Sequence, residues 1–146
     1  MQDEFMAAAL GQAEEAFGEE EVPVGAVVVV GERVVAADHN RVEQLGDPTA
    51  HAEMLAITAA AAELGPRMTE AVLYSTLEPC FMCAGALIQA RVAAVVYGAR
   101  DEKFGACGSV GDILRDGRLN HTCSVIEGVG AEASADLLRR FFRARR

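Results

Sequence analysis

The chain opens with apolar side chains at helical spacing and then turns to short runs of β-branched residues. The first pattern predicts an amphipathic helix that ends near Gly18. Its apolar positions are Met6, Leu10, Ala13 and Phe17. Two valine-rich runs at residues 24–30 and 34–37 are joined by a short polar connection, and this pattern predicts a β-hairpin.

The rest of the chain alternates between helical and strand-like segments. Asp47-Pro48-Thr49 offers a side-chain oxygen as a cap and predicts a helix to about Leu64. Pro79 suits the first position of another helix, because its missing N–H is not needed there. Strands are predicted at residues 72–76, 93–97 and 123–126. A closing helix is predicted over residues 133–143, with inward positions Leu137, Leu138, Phe141 and Phe142. Strands separated by helices predict an α/β layered domain with some parallel pairing.

Length and composition suit one globular domain. The chain has 146 residues, of which 51% are hydrophobic, so we expect a single core and one domain over residues 1–146. No apolar run reaches the roughly 18–20 residues that cross a bilayer, and the N-terminus lacks the basic start of a signal peptide. These features predict a protein without membrane segments that works in the cytoplasm.

Two fragments carry residues suited to metal binding: His51-Ala52-Glu53 and Pro79-Cys80-Phe81-Met82-Cys83. Imidazole nitrogen and thiolate sulfur are ligands that zinc prefers. Both fragments fall at predicted helix starts, where free N–H groups favour a thiolate over a thiol. We therefore predict His51, Cys80 and Cys83 as metal ligands. A structural zinc ion normally has four protein ligands, so three leave one position for a water molecule.

Glu53 is predicted to be catalytic rather than a ligand. It lies two residues from His51, so its side chain leaves the helix in another direction and can reach the water without displacing a ligand. A partly buried carboxylate in that place can accept the proton of the water and deliver it again.

Two other kinds of site use the same residues. A zinc-binding module without activity would need a fourth ligand, with candidates Cys107, Cys123, His121 and His39. A redox pair formed by Cys80 and Cys83 would leave the neighbouring histidine and glutamate without a role. Otherwise Cys107 and Cys123 are expected to be buried free thiols.

Charge argues against indiscriminate binding to nucleic acid. The formal net charge is -9, whereas non-specific affinity for phosphates comes from Lys and Arg. Positive charge is concentrated at the C-terminal end, at Arg139, Arg140, Arg143, Arg145 and Arg146. At helical spacing, three of these arginines (139, 143 and 146) form a stripe that is expected either to contact phosphates or to be a solvated face.

Several longer motifs resemble those of bacterial tRNA adenosine deaminases. They are EVPVGA at residues 21–26, HNR at 39–41, DPTAHAE at 47–53, TLEPCFMCAGA at 76–86 and GARD at 98–101. The combination of His-x-Glu with Pro-Cys-x-x-Cys is the signature of zinc-dependent nucleobase deaminases, in which the Glu is the general acid and base. The resemblance covers nearly the whole chain.

The resemblance implies a three-layer α/β/α domain of the cytidine-deaminase type, with a central mixed sheet of about five strands flanked by helices. It implies one Zn²⁺ per subunit, a homodimer, and hydrolytic deamination of adenosine to inosine at the anticodon wobble position of tRNA. It also implies Asn40 against the base edge and Val24 against the base face, with the main chain at Ala52 and Glu78 as further contacts. Judged by residue type alone, Asn40 is also typical of a turn and Val24 of a core.

The alternative function is deamination of a free nucleobase or nucleoside, such as guanine, adenine or cytosine. Such an enzyme shares the zinc motifs and suits an acidic chain. A tRNA enzyme needs a local basic rim instead, for which the candidates are Arg41, Arg100, Lys103 and the C-terminal arginines. By resemblance, the loop at residues 101–109 lies beside the mouth of the pocket.

Overall fold

Five strands form one mixed sheet in the computed structural model, which describes residues 2–145. The strands are β1 (Gly25–Val30), β2 (Arg33–His39), β3 (Val72–Leu77), β4 (Ala94–Ala99) and β5 (Ser124–Ile126). Their order across the sheet is β2-β1-β3-β4-β5. β1 pairs antiparallel with β2 and β3, whereas β3 with β4 and β4 with β5 pair in parallel. The predicted mixed sheet is confirmed.

Helices connect and cover these strands. Within the described residues they are α1 (Gln2–Gly18), α2 (Val42–Leu45), α3 (Ala52–Leu64), α4 (Phe81–Ala90) and α5 (Ala131–Arg143). The short helix α2 was not predicted, because four residues carry too little periodicity to recognise. Every helix of the described chain is too short or too polar to cross a membrane.

The sheet is buried on both faces. Val27 and Val28 are neighbours in β1 and point to opposite sides. Val27 packs in a hydrophobic cluster with Met6 of α1, whereas Val28 packs in a second cluster with Ala56 of α3 and Leu87 of α4. Because both faces are covered, β1 is an unbroken apolar run rather than an alternating one. The predicted α/β fold, with helices on both sides of the sheet, is confirmed.

Helix α3 begins later than the sequence predicts. Its first residue is Ala52, and His51 is the N-cap. The Asp47 carboxylate does not cap the helix but accepts hydrogen bonds from the backbone N–H and the hydroxyl of Thr49, both at 2.8 Å. Aspartate commonly stabilises a turn in this way, so the same side chain that suggested a helix start forms a preceding turn.

Helix α4 also begins later than predicted. Its first residue is Phe81 and its N-cap is Cys80, so Pro79 precedes the helix instead of starting it. Cys80 has extended backbone angles, as an N-cap residue normally does.

The closing helix α5 is confirmed, but one of its four predicted core positions is wrong. Leu137 and Phe141 are buried and Leu138 is half-buried, whereas Phe142 is 50% exposed. Successive residues on a helix point about 100° apart, so adjacent phenylalanines cannot both face the core. Arg146, the last member of the predicted arginine stripe, lies outside the described residues.

Candidate active site

The three side chains predicted as metal ligands meet where α3 and α4 begin. His51 caps α3, Cys80 caps α4, and Cys83 lies in the first turn of α4. The Nδ1 atom of His51 is 3.6 Å from Cys80 Sγ and 3.4 Å from Cys83 Sγ. All three ligand atoms lie within 4.8 Å of one another. The structure therefore brings together the residues that the sequence suggested as ligands, although they are up to 32 positions apart.

The spacing of these atoms fits a tetrahedral zinc ion. Zinc bonds to imidazole nitrogen at about 2.0 Å and to thiolate sulfur at about 2.3 Å, which puts neighbouring ligand atoms of a tetrahedron about 3.5 Å apart. The nitrogen-to-sulfur distances at this site match that separation. His51, Cys80 and Cys83 would hold the ion without any rearrangement of the backbone.

The local electrostatics favour a thiolate at this site. A hydrogen bond from the thiol of Cys83, followed by one from His51, lowers the pKa of Cys80 to about 4. The same bond to Cys80, together with burial, raises the pKa of Cys83. The hydrogen bond with Cys80 raises the pKa of His51. The three groups thus share protons that a metal ion would displace.

No fourth side chain joins this group among residues 2–145. Three of the four candidates for a closing ligand contact backbone oxygens elsewhere: His121 Nε2 at 2.7 Å, His39 Nδ1 at 3.1 Å and Cys107 Sγ at 3.7 Å. Cys107 and Cys123 are buried free thiols, as predicted. In the described chain, the site therefore consists of three candidate ligands without a fourth.

Glu53 lies beside the ligands without joining them. It occupies the first turn of α3 and is 4% exposed. Burial raises the pKa of Glu53 to about 7, and the nearby His51 opposes this shift. A carboxyl group with such a pKa can accept and release a proton near neutral pH.

A cavity of about 650 Å³ lies against the site and is lined by His51, Cys80 and Glu53 among others. We call it the active-site cavity. Its size is typical of pockets for small organic ligands. The four residues suggested as substrate contacts also line it: Val24, Asn40, Ala52 and Glu78.

Asn40 and Val24 lie side by side on the wall of this cavity. The backbone N–H of Asn40 donates to the carbonyl oxygen of Val24 at 3.1 Å. Val24 also belongs to the hydrophobic cluster shared with α3 and α4. It is therefore both a core residue and a wall residue, and the two interpretations left open by its residue type are compatible.

Glu78 has a side-chain arrangement that its residue type did not indicate. Its carboxylate accepts hydrogen bonds from the backbone N–H groups of Asp101, Cys107 and Ser109, all at 3.0 Å. Although burial opposes the effect, these bonds and one from the Ser109 hydroxyl lower the pKa of Glu78. The resemblance implies only the main chain of Glu78 as a substrate contact.

The C-terminal segment contributes two phenylalanines that the sequence does not indicate at the site, together with Arg145, one of the arginines suggested for the basic rim. Phe141, Phe142 and Arg145 line the active-site cavity. The guanidinium of Arg145 stacks on the Phe141 ring, 3.6 Å from its centroid, and donates to the carbonyl oxygen of Glu20 at 3.0 Å. An aromatic pair followed by arginines near the end of the chain is the available signal, but apolar periodicity by itself assigns both rings to the core.

The predicted basic rim is only partly present. Among the described residues, Arg145 is the one basic side chain that lines the active-site cavity. Arg41 is paired with Asp38 at 2.7 Å, and Arg100 donates to backbone and hydroxyl oxygens of the loop at residues 101–109. The cavity wall also includes Glu20 and Glu43.

Comparison with known proteins identifies the family. The sequence model of the cytidine and deoxycytidylate deaminase zinc-binding region matches residues 1–99, which include all three candidate ligands. The chain belongs to this family of zinc-dependent deaminases. The deaminase is 44% identical over 144 residues to the tRNA-specific adenosine deaminase of Bacillus subtilis (strain 168), with 97% of this chain and 89% of the relative covered.

Solved structures agree with this assignment. A structure from a study of A-to-I editing by tRNA:A34 deaminases at the wobble position of transfer RNA is 43% identical to the deaminase. It matches with a TM-score of 0.88, and the match covers 92% of this chain and 99% of that one. The guanine deaminase of Bacillus subtilis is 36% identical, with a TM-score of 0.64 and coverage of 76% of this chain and 71% of that one. The predicted fold and enzyme class are confirmed.

Proposed function

We propose that the deaminase hydrolyses adenosine to inosine at the wobble position of a tRNA anticodon and releases ammonia. The observation that carries this proposal is the 44% identity, over 97% of the chain, to a tRNA-specific adenosine deaminase. The open ligand set of His51, Cys80 and Cys83 beside the buried Glu53 supports the same chemistry.

The reaction requires an activated water and a carrier of protons. Zinc bound by His51, Cys80 and Cys83, one ion per subunit, would acidify a water molecule for attack on carbon 6 of the adenine. Glu53 accepts one proton of this water and delivers it to the ring nitrogen. It then takes the second proton from the hydroxyl group now on carbon 6 and passes it to the departing amine, so that the products are inosine and ammonia. Burial raises the pKa of Glu53 to about 7, so the carboxyl group can both accept and release a proton near neutral pH.

The base itself is held by the cavity wall. Asn40 presents an amide with a donor and an acceptor side by side, which suits a purine edge. Val24 packs against the face of the base, and the main chain at Ala52 and Glu78 supplies further polar contacts. All four residues line the cavity that holds the reacting centre, and the adenosine must leave its stack to enter.

The assembly and location follow as parts of the same proposal. We treat residues 1–146 as one domain that forms a homodimer and works in the cytoplasm, where its tRNA substrate is found. Gly85 on α4 faces open space, and a groove between α3 and α4 is lined by Ile57, Ala61 and Ala86. The small residues Ala61, Gly85 and Ala86 allow a second copy to approach closely, and Ile57 adds apolar surface. Sedimentation showing a monomer at working concentration would exclude the dimer.

The second candidate is deamination of a free base. The 36% identity to a guanine deaminase and the net charge of -9 favour it. Incubation of the zinc-loaded protein with an unmodified tRNA carrying a wobble adenosine, and in parallel with free guanine, adenine and cytosine, separates the candidates. We expect inosine in the tRNA, and turnover of a free base with inert tRNA would reject the proposal.

A further inference from the structure

Glu78 is a buried acid, and no basic side chain of residues 2–145 pairs with it. It lies between the end of β3 and the ligand Cys80, and it is 1% exposed. Burying a carboxylate is costly unless hydrogen bonds replace its contacts with water. The partners of Glu78 therefore indicate what the residue is for.

Within the described part of the chain, the hydrogen bonds of this carboxylate all come from the loop at residues 101–109. Oε1 accepts from the backbone N–H of Asp101, and Oε2 accepts from those of Cys107 and Ser109. The hydroxyl of Ser109 donates to Oε1 as well. Three N–H groups from both ends of the loop thus converge on one side chain. A carboxylate satisfied in this way has no free oxygen for proton transfer.

The same loop is also attached to the backbone next to Glu78. The N–H of Ala106 donates to the carbonyl oxygen of Pro79 at 2.9 Å. The backbone of Gly105 also forms an isolated antiparallel β-bridge with that of Cys80. Gly105 leaves no room for a side chain, because a Cβ there would overlap the Glu78 carboxylate and the Asp101 carbonyl. The loop is therefore fitted closely around the carboxylate.

This loop forms part of the wall of the active-site cavity. Asp101 and Phe104 both line it, and Phe104 is 67% exposed. An exposed aromatic ring beside a base-sized cavity is suited to stacking on a nucleobase. Ordering such a ring before binding reduces the entropy that is lost when the substrate arrives.

We propose that the Glu78 carboxylate is a positioning residue that orders the loop at residues 101–109 and thereby fixes Phe104 and Asp101 at the cavity mouth for binding of tRNA. This inference rests on the proposed tRNA deamination and deepens it. It separates Glu78 from Glu53, which handles protons. The loop holds the substrate equally in the ground state and in the transition state, so its loss raises KM and leaves kcat almost unchanged.

The test is Glu78→Gln, which keeps the size of the side chain but replaces one acceptor oxygen with a donor. That donor faces N–H groups in either orientation of the amide. We expect the loop amides to exchange with deuterium at least about tenfold faster, because bonds to a charged acceptor are lost. We also expect KM for tRNA to rise about tenfold, kcat to change by less than about twofold, and zinc content to stay the same.

The matched control is Glu63→Gln, since Glu63 is exposed on α3 and pairs with the exposed Arg33. It should leave exchange of the loop, KM and kcat at the wild-type values. Ser109→Ala removes only the hydroxyl donor, so it should raise KM by about threefold. If Glu78→Gln does not fold, this variant tests whether the bonds to Glu78 order the loop.

Three results would overturn the inference: unchanged exchange and KM in Glu78→Gln, a fall in kcat at constant KM, or loss of zinc. If Glu78→Gln does not fold, an unchanged KM in Ser109→Ala would also overturn the inference. If the wild-type protein leaves tRNA unchanged, the proposed function fails. The contrast in loop exchange between Glu78→Gln and Glu63→Gln then still decides whether Glu78 orders the loop.

Discussion

At the scale of single residues, two buried glutamates lie close to the same site and have different surroundings. Burial is the strongest influence on the Glu53 carboxyl group and raises its pKa to about 7. Glu78 is surrounded by N–H donors, and its pKa falls. A carboxyl group that can change its protonation state near neutral pH is suited to proton transfer, whereas one that stays ionised is suited to holding a loop.

Glu53→Gln tests the first of these roles. Because a glutamine cannot carry the proton, we expect kcat to fall by about 10²–10⁴-fold or more. Zinc content should stay at the wild-type level, since Glu53 is not among the ligands. Metal analysis and single-turnover kinetics measure the two effects. Activity within a factor of a few of the wild type would show that another group moves the proton.

At the scale of elements, the site depends on two helix starts being held together. His51 caps α3 and Cys80 caps α4, so a metal ion at this place joins elements that are far apart in sequence. A metal ion that binds the folded state and not the unfolded state stabilises the folded state.

Removal of zinc should therefore lower the melting temperature. Free zinc at 1,000 times its Kd adds about 4 kcal/mol to the free energy of unfolding, and roughly 2–4 °C per kcal/mol applies to a domain near this size. We expect calorimetry to show a drop of about 10 °C after chelation, reversed by added zinc. An unchanged melting temperature in a protein shown to have lost its metal would contradict this assignment.

The contact between α1 and β1 gives a second prediction at this scale. A Cβ at Gly25 would overlap the backbone of Ala9 and Ala13 in α1, so Gly25→Ala should destabilise the fold by about 1–3 kcal/mol or more. The matched control is Gly11→Ala, because a Cβ at this position meets open space. This substitution should stabilise α1 by about 0.5–1 kcal/mol. Urea unfolding measures both, and equal effects of the two changes would contradict the close packing.

The sequence predicted the elements better than their ends. Long apolar runs such as β1 have both faces buried, so the pattern alone identifies them. The start of α3 was misplaced because Asp47 stabilises a turn as readily as a helix. The ligands were recognisable from residue type and spacing. The role of the Glu78 side chain was not, since its donors lie 23 to 31 positions further along the chain.

At the scale of the whole molecule, the proposed function requires an acidic protein to bind an anionic substrate. The net charge is -9, and Glu20 and Glu43 are part of the cavity wall. Glu21 is also there, but its carboxylate accepts the N–H groups of residues 43 and 44 at the start of α2. Binding of tRNA therefore has to rely on a few well-placed arginines and on stacking rather than on a general positive field.

Arg145→Ala tests this view, because Arg145 is the basic side chain on the cavity wall in the described part of the chain. If it contacts a phosphate, KM for tRNA should rise and the slope of log affinity against log salt should fall by about 0.7. Arg118→Ala, at an exposed arginine paired with Asp116, is the control and should change neither. If the slope of log affinity against log salt is the same in Arg145→Ala and in the wild type, Arg145 does not contact a phosphate.

The most direct measurement is the product formed from a single defined substrate. Zinc-loaded protein is incubated with an unmodified tRNA carrying a wobble adenosine, and inosine and ammonia are quantified together. The account predicts equal amounts of both, at the wobble position, with Glu53→Gln inactive. Intact tRNA adenosine alongside rapid release of ammonia from a free base would contradict it.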